Sequence, residues 1–269
     1  MYVWFTNRIL MIADLIKRLL GIHPQQGVKP LKNLIHVGSK FHGYHIPKDF
    51  LKPESICYLI GAGDDISFDT ELKVLYDAQI YIFDPTPEGI DHFKQLKVDT
   101  AAAKPTTIDN VAPFTYRIST EQLEAIHFVE IGVWDEKTTL KFYDPVKENY
   151  ASHSVYLFTD SDTYIEAPVD RLSNLMRQLG HTAIDMVKME IEGAEYTVID
   201  TIVKDKLDVK LILVEFDEVY NTKDKAFHFR IKKACKQLMD AGYVLIHSTD
   251  HLKRSFLRKD IYEELKAKE

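Results

Sequence analysis

The sequence predicts an α/β fold whose mostly parallel sheet carries helices on both faces. Short apolar runs recur along the chain, at residues 55–60, 78–83, 126–131 and 209–214, and segments with helical spacing separate them. Strands that alternate with helices in this way are joined by right-handed crossovers, which place the strands parallel to one another.

Composition narrows the class of protein. The chain has 269 residues, of which 45% are hydrophobic and 28% charged, as expected for one large soluble domain. Its formal net charge of -7 argues against nucleic acid as the main partner, because phosphate binding needs a basic face. The two cysteines, Cys57 and Cys235, fit neither a disulfide framework nor a metal site, so we expect a reducing, cytoplasmic location.

The N-terminal region is expected to stand apart from the main domain. Residues 1–35 read as an amphipathic helix and a linker, and residues 36–269 as the domain itself. A spanning helix and a signal peptide are both disfavoured, because no cleavage site follows and charged residues interrupt the apolar ones. These charged residues are Arg8, Asp14, Lys17 and Arg18. The apolar face is expected to pack on its own domain or on a second copy in a homodimer, with peripheral membrane contact less favoured.

A glycine turn follows the first apolar run of the domain. This run breaks into Gly61-Ala62-Gly63. A helix is expected to follow from Ser67, which is the pattern of a turn whose backbone passes close to a ligand. Asp84 ends the next apolar run, 21 positions after Gly63, where an acid accepts hydrogen bonds from a ribose diol. Together these features predict a nucleoside site.

Three residues of the turn narrow the choice of nucleoside. A pyrophosphate site would have glycine at position 66, where this chain has Ile66. Asp64 and Asp65 would repel a pyrophosphate, by about 1 kcal/mol or more for each pair of charges. The turn better suits a ligand with a ribose, no phosphate and a positive charge, such as S-adenosylmethionine. The alternatives are a NAD-dependent oxidoreductase and a cofactor-binding or scaffold protein without turnover.

Charged residues also alternate with apolar ones over residues 184–195. Lys188, Glu190 and Glu192 would be costly to bury unpaired at the end of a central strand. They are therefore expected to face a cleft or to pair, although a half-exposed edge strand would show the same pattern. Glu195 is expected to begin a helix, where an acid favours the helix dipole.

Residues 132–179 depart from simple alternation. Residues 138–143 are expected to pair antiparallel with a strand around residues 154–158. Helical spacing predicts a helix over residues 169–179 that ends at Gly180. Further upstream, residues 34–47 predict one or two short strands that turn at Gly43. Their three histidines lack a companion acid at ligand spacing, so we expect a polar lid beside the glycine turn instead of a metal site.

With these residues in place, the sequence resembles the FkbM-type S-adenosylmethionine-dependent methyltransferases over about residues 36–250. Four segments carry the resemblance: Gly61 to Phe68, Phe83 to Pro87, Lys188 to Glu195, and Leu213 to Phe216. The family usually has Asp where this chain has Glu190, and the longer side chain moves its carboxylate by about 1.5 Å.

The resemblance implies a class I methyltransferase (Rossmann-like) fold, with a seven-stranded sheet and a reversed last hairpin. It also implies O-methylation of a hydroxyl on a glycan or a small metabolite. The implied cofactor-binding residues are Gly61, Ala62, Gly63, Asp64, Ser67, Phe68, Asp84, Pro85, Thr86, Val133 and Trp134. For Trp134, a place in the core is an equal alternative.

A base would assist the reaction, because an aliphatic hydroxyl is a poor nucleophile until its proton is removed. Several acids and two histidines brought in from loops are candidates for this role: Glu190, Glu192, Glu215, Asp217, His153 and His247. Two of the acids would also suit a divalent cation, although no residue is assigned as a metal ligand.

Overall fold

A computed structural model describes residues 15–108, 112–144, 153–157, 163–216, 226–249 and 253–269. Its strands are β1 (Leu34–Val37), β2 (Tyr44–Pro47), β3 (Ile56–Ile60), β4 (Gln79–Phe83), β5 (Thr107–Ile108), β6 (Phe114–Thr115), β7 (His127–Val129), β8 (Gly132–Trp134), β9 (Thr138–Tyr143), β10 (Tyr164–Arg171), β11 (Ala183–Met189), β12 (Asp208–Glu215), β13 (Tyr243–Ser248) and β14 (Lys253–Arg258). Its helices are α1 (Ser67–Tyr76), α2 (Pro87–Ala101), α3 (Thr120–Glu124), α4 (Leu172–Leu179), α5 (Glu195–Lys204), α6 (Phe227–Asp240) and α7 (Lys259–Ala267).

The main sheet has seven strands in the order β13-β14-β12-β11-β3-β4-β7. Five neighbouring strands, β12, β11, β3, β4 and β7, are parallel to one another. Strand β14 runs antiparallel to both β12 and β13. This arrangement confirms the predicted class I fold with its reversed last hairpin. The chain leaves β3 toward β4 on one side and later returns as β11 on the other, so a switch point lies between β3 and β11, where open α/β sheets bind ligands.

Both faces of the sheet are covered. Cys57 and Leu59 point into one hydrophobic core, while Tyr58 and Ile60 point into the other. A strand that is buried on both faces has a continuous apolar sequence, and such runs therefore predicted the positions of the parallel strands well.

Strand β7 and the region after it differ from the prediction in two respects. The third strand is shorter than residues 126–131, because the amide of Ile131 donates to the carbonyl of Val129 in a tight turn. Strand β9 pairs with β10, and among residues 154–157, the described part of its predicted partner, Ser154 makes an isolated antiparallel bridge to Tyr143.

One helix boundary also differs from the prediction. The helix expected from residue 169 begins at Leu172, because residues 169–171 continue β10 and pair with β8. Its predicted end is confirmed: Gly180 is the C-cap, with φ of 77°. A two-residue strand, β5, pairs antiparallel with β6.

The N-terminal region is described only from residue 15, so most of the predicted amphipathic helix lies outside the described residues. Residues 15–19 are helical, and Leu15 and Leu19 are exposed. Lys232 of α6 donates to the carbonyl of Leu20, which holds the end of this helix against the domain. Among the described helices, none is long and apolar enough to cross a membrane.

Candidate active site

The glycine turn presses against the end of β11 at the switch point. Gly61 has φ of 89°, and a Cβ atom at this position would stand 1.9 Å from the carbonyl oxygen of Glu190. The Gly61 amide donates to the carbonyl of Phe83, at 3.0 Å, so the turn also contacts β4. Gly63 has φ of 51°, and a Cβ atom added at this position would have no neighbouring heavy atom within 4 Å. Position 61 therefore requires glycine for packing, whereas space is open beside Gly63.

Asp84 holds this turn in place. Its Oδ2 accepts hydrogen bonds from the amides of Ala62 and Gly63, at 2.7 and 3.1 Å. Its Oδ1 accepts from the amide and the hydroxyl of Thr86, at 2.8 and 2.6 Å. Thr86 in turn caps α2 by accepting from the amide of Gly89. The Asp84 carboxylate thus has four donors from its own chain, and its predicted contact with a ribose stays a prediction.

The next part of the turn faces the β1–β2 hairpin. Asp65 accepts from the hydroxyl of Ser39 and from the amide of Ser67, both at 2.8 Å. The Ser67 hydroxyl accepts from the Ser39 amide, and Phe68 is buried against Tyr44. Of the two acids, only Asp64 is exposed, so Asp65 does not lie in the path of a ligand as expected. The hairpin does lie beside the glycine turn, as the sequence predicted.

Val133 and Trp134, two of the implied cofactor-binding residues, lie on β8 of a separate three-stranded sheet, whose strand order is β8-β10-β9. Val133 is buried in the core, whereas Trp134 is partly exposed, with its ring 6.5 Å from that of Tyr156. A Cβ atom on Gly132 would lie 3.2 Å from Pro85, so β8 runs beside the residues that follow β4. Contact of Val133 and Trp134 with a cofactor remains a prediction.

His153 lies between two acids. Its Nε2 is 3.2 Å from Asp144, its Nδ1 is 3.5 Å from Glu88, and its side chain is only 5% exposed. The next residue, Ser154, donates a hydrogen bond to the carbonyl of Glu192 at 2.7 Å. Residues 153–157 therefore connect the start of α2 with the loop after β11.

A line of alternating charges begins beneath the glycine turn. Lys188 is 1% exposed, and its Nζ lies 2.9 Å from Glu190 Oε2 and 3.8 Å from Asp69 Oδ2. The same ammonium group donates to the carbonyl of Gly61 at 3.3 Å. The predicted pairing of Lys188 with a neighbouring acid is confirmed.

Lys253 extends this line to β12. Because β14 runs antiparallel to β12, Lys253 is paired in register with Glu215. Its Nζ lies 2.6 Å from Glu190 Oε1 and 2.5 Å from Glu215 Oε2, and 4.2 Å from the centre of the Tyr44 ring. We call the five side chains the ion chain, in the order Asp69, Lys188, Glu190, Lys253 and Glu215.

The carboxylates of the ion chain differ in proton affinity. Burial would raise the pKa of Glu190, but Lys188 and Lys253 outweigh it and hold that pKa well below its ordinary value. Burial, together with the Glu190 charge, raises the pKa of Glu215 to about 7, although Lys253 opposes the shift. Glu190 therefore stays ionised, whereas Glu215 titrates near neutral pH.

Glu195 organises the loop between β11 and α5. It is fully buried in the first turn of α5 and accepts from the amides of Ile191 and Gly193, at 2.8 and 2.9 Å. Burial raises its pKa to about 8, although these amide donors oppose the shift. These contacts give Glu195 a structural role at the helix start, as the sequence indicated.

The described residues do not support a divalent cation. They contain no group of three or more His, Cys, Asp or Glu side chains that could hold a metal ion. Both oxygens of Glu190 instead contact ammonium groups. Asp217, another candidate acid, lies outside the described residues.

S-adenosylmethionine fits the residues around the turn. Gly61 allows close backbone approach, and the space beside Gly63 is open. Asp69 is fully buried, and neither of its carboxylate oxygens has a hydrogen-bond partner among the described residues. A cationic ligand is the kind that such a carboxylate favours.

Several solved structures match the chain, among them three at low sequence identity. The FkbM methyltransferase of Methylobacillus flagellatus KT is 11% identical, with a TM-score of 0.46, and the match covers 77% of this chain and 44% of that one. The fibrillarin pre-rRNA processing protein of Methanococcus jannaschii is 12% identical, with a TM-score of 0.38 and coverage of 77% and 68%. The magnesium protoporphyrin IX methyltransferase of Synechocystis PCC 6803, solved with bound S-adenosylmethionine, is 11% identical, with a TM-score of 0.35 and coverage of 78% and 72%. The chain thus spans less than half the length of the first of these proteins.

The family comparison is more informative. No curated protein matches the chain significantly. The methyltransferase FkbM domain, however, matches residues 53–245, which is well over half of the sequence. The matched residues include the glycine turn, Asp84, and the ion chain apart from Lys253. The chain therefore belongs to the FkbM methyltransferase domain family.

Proposed function

We propose that this protein transfers the methyl group of S-adenosylmethionine to a hydroxyl oxygen of a glycan or a small metabolite. The observation that carries the proposal is the family match over residues 53–245, which contains both the glycine turn and most of the ion chain. Both lie at the carboxyl ends of the parallel strands, on either side of the switch point.

The cofactor would lie along the glycine turn. Gly61 and Gly63 would allow its close approach, and Asp84 would accept from its ribose, with Pro85 and Thr86 beside it. Trp134 would offer an aromatic face to the adenine. When bound there, S-adenosylmethionine supplies an activated methyl group on a positively charged sulfur.

Methyl transfer to a hydroxyl forms an oxygen–carbon bond and breaks the carbon–sulfur bond, whose electron pair stays on sulfur. The hydroxyl proton must leave, so the chain needs a base aligned with the acceptor. We assign this role to Glu215, since its pKa of about 7 matches neutral pH. Glu190, held between two ammonium groups, would position Lys253 and the base without taking the proton.

The alternatives to Glu215 are His153 and Glu192. His153 lies between Glu88 and Asp144, and Glu192 forms the loop that Ser154 contacts. The NAD-dependent alternative is less well supported, because the side chain at position 66 is a fully buried Ile66 and the family match is to methyltransferases. A scaffold protein without turnover would also bind the cofactor, so only transfer of the methyl group to an acceptor separates it from an enzyme.

The proposal is tested with S-adenosylmethionine labelled in its methyl group and incubated with hydroxylated glycans, small metabolites and an extract of the source cells. We expect label in a base-stable ether, and a fall in kcat of about 10²- to 10⁴-fold in the Glu215→Gln variant. The Asp91→Asn variant is the control, because Asp91 is exposed on α2.

Other outcomes reassign the parts of the proposal. If Glu215→Gln keeps its rate and His153→Gln loses it, His153 is the base. Cofactor binding without label in any acceptor would favour the scaffold alternative. Activity that EDTA removes and Mg²⁺ restores would show that a divalent cation takes part.

A further inference from the structure

Asp69 is a buried carboxylate that the proposed reaction does not use. It lies in the first turn of α1 with no measurable exposure, and neither oxygen has a hydrogen-bond partner among the described residues. Its nearest ammonium group in the ion chain, that of Lys188, is 3.8 Å away. A buried charge that lacks hydrogen bonds is costly, so its presence needs a physical reason.

The ion chain leaves this carboxylate incompletely neutralised. It contains three carboxylates and two ammonium groups, so one negative charge is unbalanced when all five side chains are ionised. Lys188 lies closer to Glu190, at 2.9 Å, than to Asp69. Lys253 lies between Glu190 and Glu215. The excess negative charge therefore lies at the Asp69 end, where Lys188 also donates to the backbone of the glycine turn.

Among the described residues, the other ionisable groups that interact with Asp69 add no positive charge. Those that interact with it electrostatically come from β3, β11 and the loops that pack on α1: Cys57, Asp65, Tyr116, Lys188 and Glu190. Among them Lys188 is the cation. A positively charged ligand at the glycine turn would supply the balancing charge.

We propose that Asp69 is a specificity-determining residue that makes the protein prefer positively charged S-adenosylmethionine over its neutral product, S-adenosylhomocysteine. This inference rests on the proposed function. The two molecules differ by a methyl group and by one positive charge on sulfur. An unbalanced negative charge in a buried site stabilises the charged molecule more than the neutral one. The preference would help the product to leave after each transfer.

Proton release follows from the same arrangement. Burial raises the pKa of Asp69 to about 6, although Lys188 opposes the shift, and Glu215 titrates at about 7. Near pH 6.5 both groups therefore hold part of a proton. A cation that arrives beside them favours their ionised forms and lowers both pKa values, so protons are released. S-adenosylhomocysteine lacks the sulfonium charge and should release far fewer.

Calorimetric titration at pH 6.5, in phosphate and in imidazole buffer, measures this proton release through the difference in buffer ionisation enthalpy. For the wild-type protein we expect release of about 0.3 to 0.5 proton with S-adenosylmethionine and close to none with S-adenosylhomocysteine. We also expect about tenfold tighter binding of the charged molecule. The Asp69→Asn variant should bring the affinity ratio to within about threefold of one and reduce the proton release. Glu215→Gln should remove only part of that release, and Asp91→Asn should change neither quantity.

The outcomes separate this inference from the proposed function. Equal proton release with both molecules, or an unchanged affinity ratio in a folded Asp69→Asn variant, overturns the role of Asp69 while cofactor binding stands. Failure of the wild-type protein to bind either molecule overturns the proposed function. If the Asp69→Asn variant does not fold, the Glu215→Gln variant isolates the contribution of Asp69: equal proton release with the two ligands on that variant overturns the inference.

Discussion

The carbonyl oxygen of Glu190 lies 1.9 Å from the point where a Cβ atom of residue 61 would stand. The glycine turn after β3 and the end of β11 are therefore in direct backbone contact. The side chain of the same Glu190 lies between Lys188 and Lys253. The proposed cofactor turn and the proposed transfer site thus meet at one residue, and a displacement of one is expected to disturb the other.

Replacing Gly61 should damage the fold, whereas replacing Gly63 should mainly affect ligand binding. Gly61→Ala places a Cβ atom against the Glu190 carbonyl and strains a residue with φ of 89°, so we expect a loss of about 3 kcal/mol in unfolding free energy. Gly63→Ala meets open space and should cost about 1 kcal/mol. Urea denaturation measures both. Equal losses in the two variants would contradict the contact with Glu190.

Asp84 should matter for both stability and cofactor affinity. Asp84→Ala removes the acceptor for the amides of Ala62 and Gly63 and for two donors of Thr86. Bonds to a charged acceptor are worth about 1.5 to 3 kcal/mol each, and water can replace some of them, so we expect a loss of about 3 kcal/mol. Affinity for S-adenosylmethionine should fall at least tenfold. Asp91→Asn serves as the matched control, and wild-type affinity in a folded Asp84→Ala variant would argue against this role.

Lys253 should set the pH at which the base works. The rate rises with pH as Glu215 loses its proton, and the Lys253 charge lowers the pKa of Glu215. Removing that charge in Lys253→Met leaves Glu190 and Glu215 facing each other, so the acid limb of kcat/KM should move up by about one pH unit or more. Lys253→Arg keeps the charge and should leave the limb nearly in place. An unmoved limb in Lys253→Met would rule out Glu215 as the base.

Asp69 should make stability fall as the pH rises. Its pKa is about 6 in the folded protein and 3.8 in the unfolded chain, so between these values the folded state binds more protons. The stability that this group contributes is fully present below about pH 4 and is lost as the pH rises through 6. Relative to Asp69→Asn, the wild-type protein should lose up to about 3 kcal/mol between pH 4 and pH 7. Urea denaturation at both pH values measures the difference, which should be absent for Asp91→Asn against wild type.

Local sequence patterns were sufficient to predict most of the fold. The strand that ends at Ile60 and the helix from Ser67 were predictable because the glycines and the apolar residues act on their immediate neighbours. Strand β10 was not predicted, because its last residues lead without a break into the helical spacing that starts at Leu172. The partner of β9 was missed for the same reason.

The ion chain was predictable only in part. Lys188, Glu190 and Glu215 stood out because charged residues at the ends of apolar strands are unusual. Lys253 did not, because its role depends on the antiparallel register between β14 and β12, which no local pattern reveals. Lys253 is the first residue of β14 and is followed by Arg254 and Ser255, so its sequence neighbours do not mark it as the partner of two acids. Asp69 reads as an ordinary acid in a helical first turn, and only its burial distinguishes it.

Calorimetric titration of the wild-type protein with S-adenosylmethionine and with NAD tests the central claim most directly. We predict micromolar affinity for S-adenosylmethionine, competition from S-adenosylhomocysteine, no heat of binding with NAD, and loss of the signal in the folded fraction of Asp84→Ala. Binding of NAD together with no response to either sulfur compound would contradict the account.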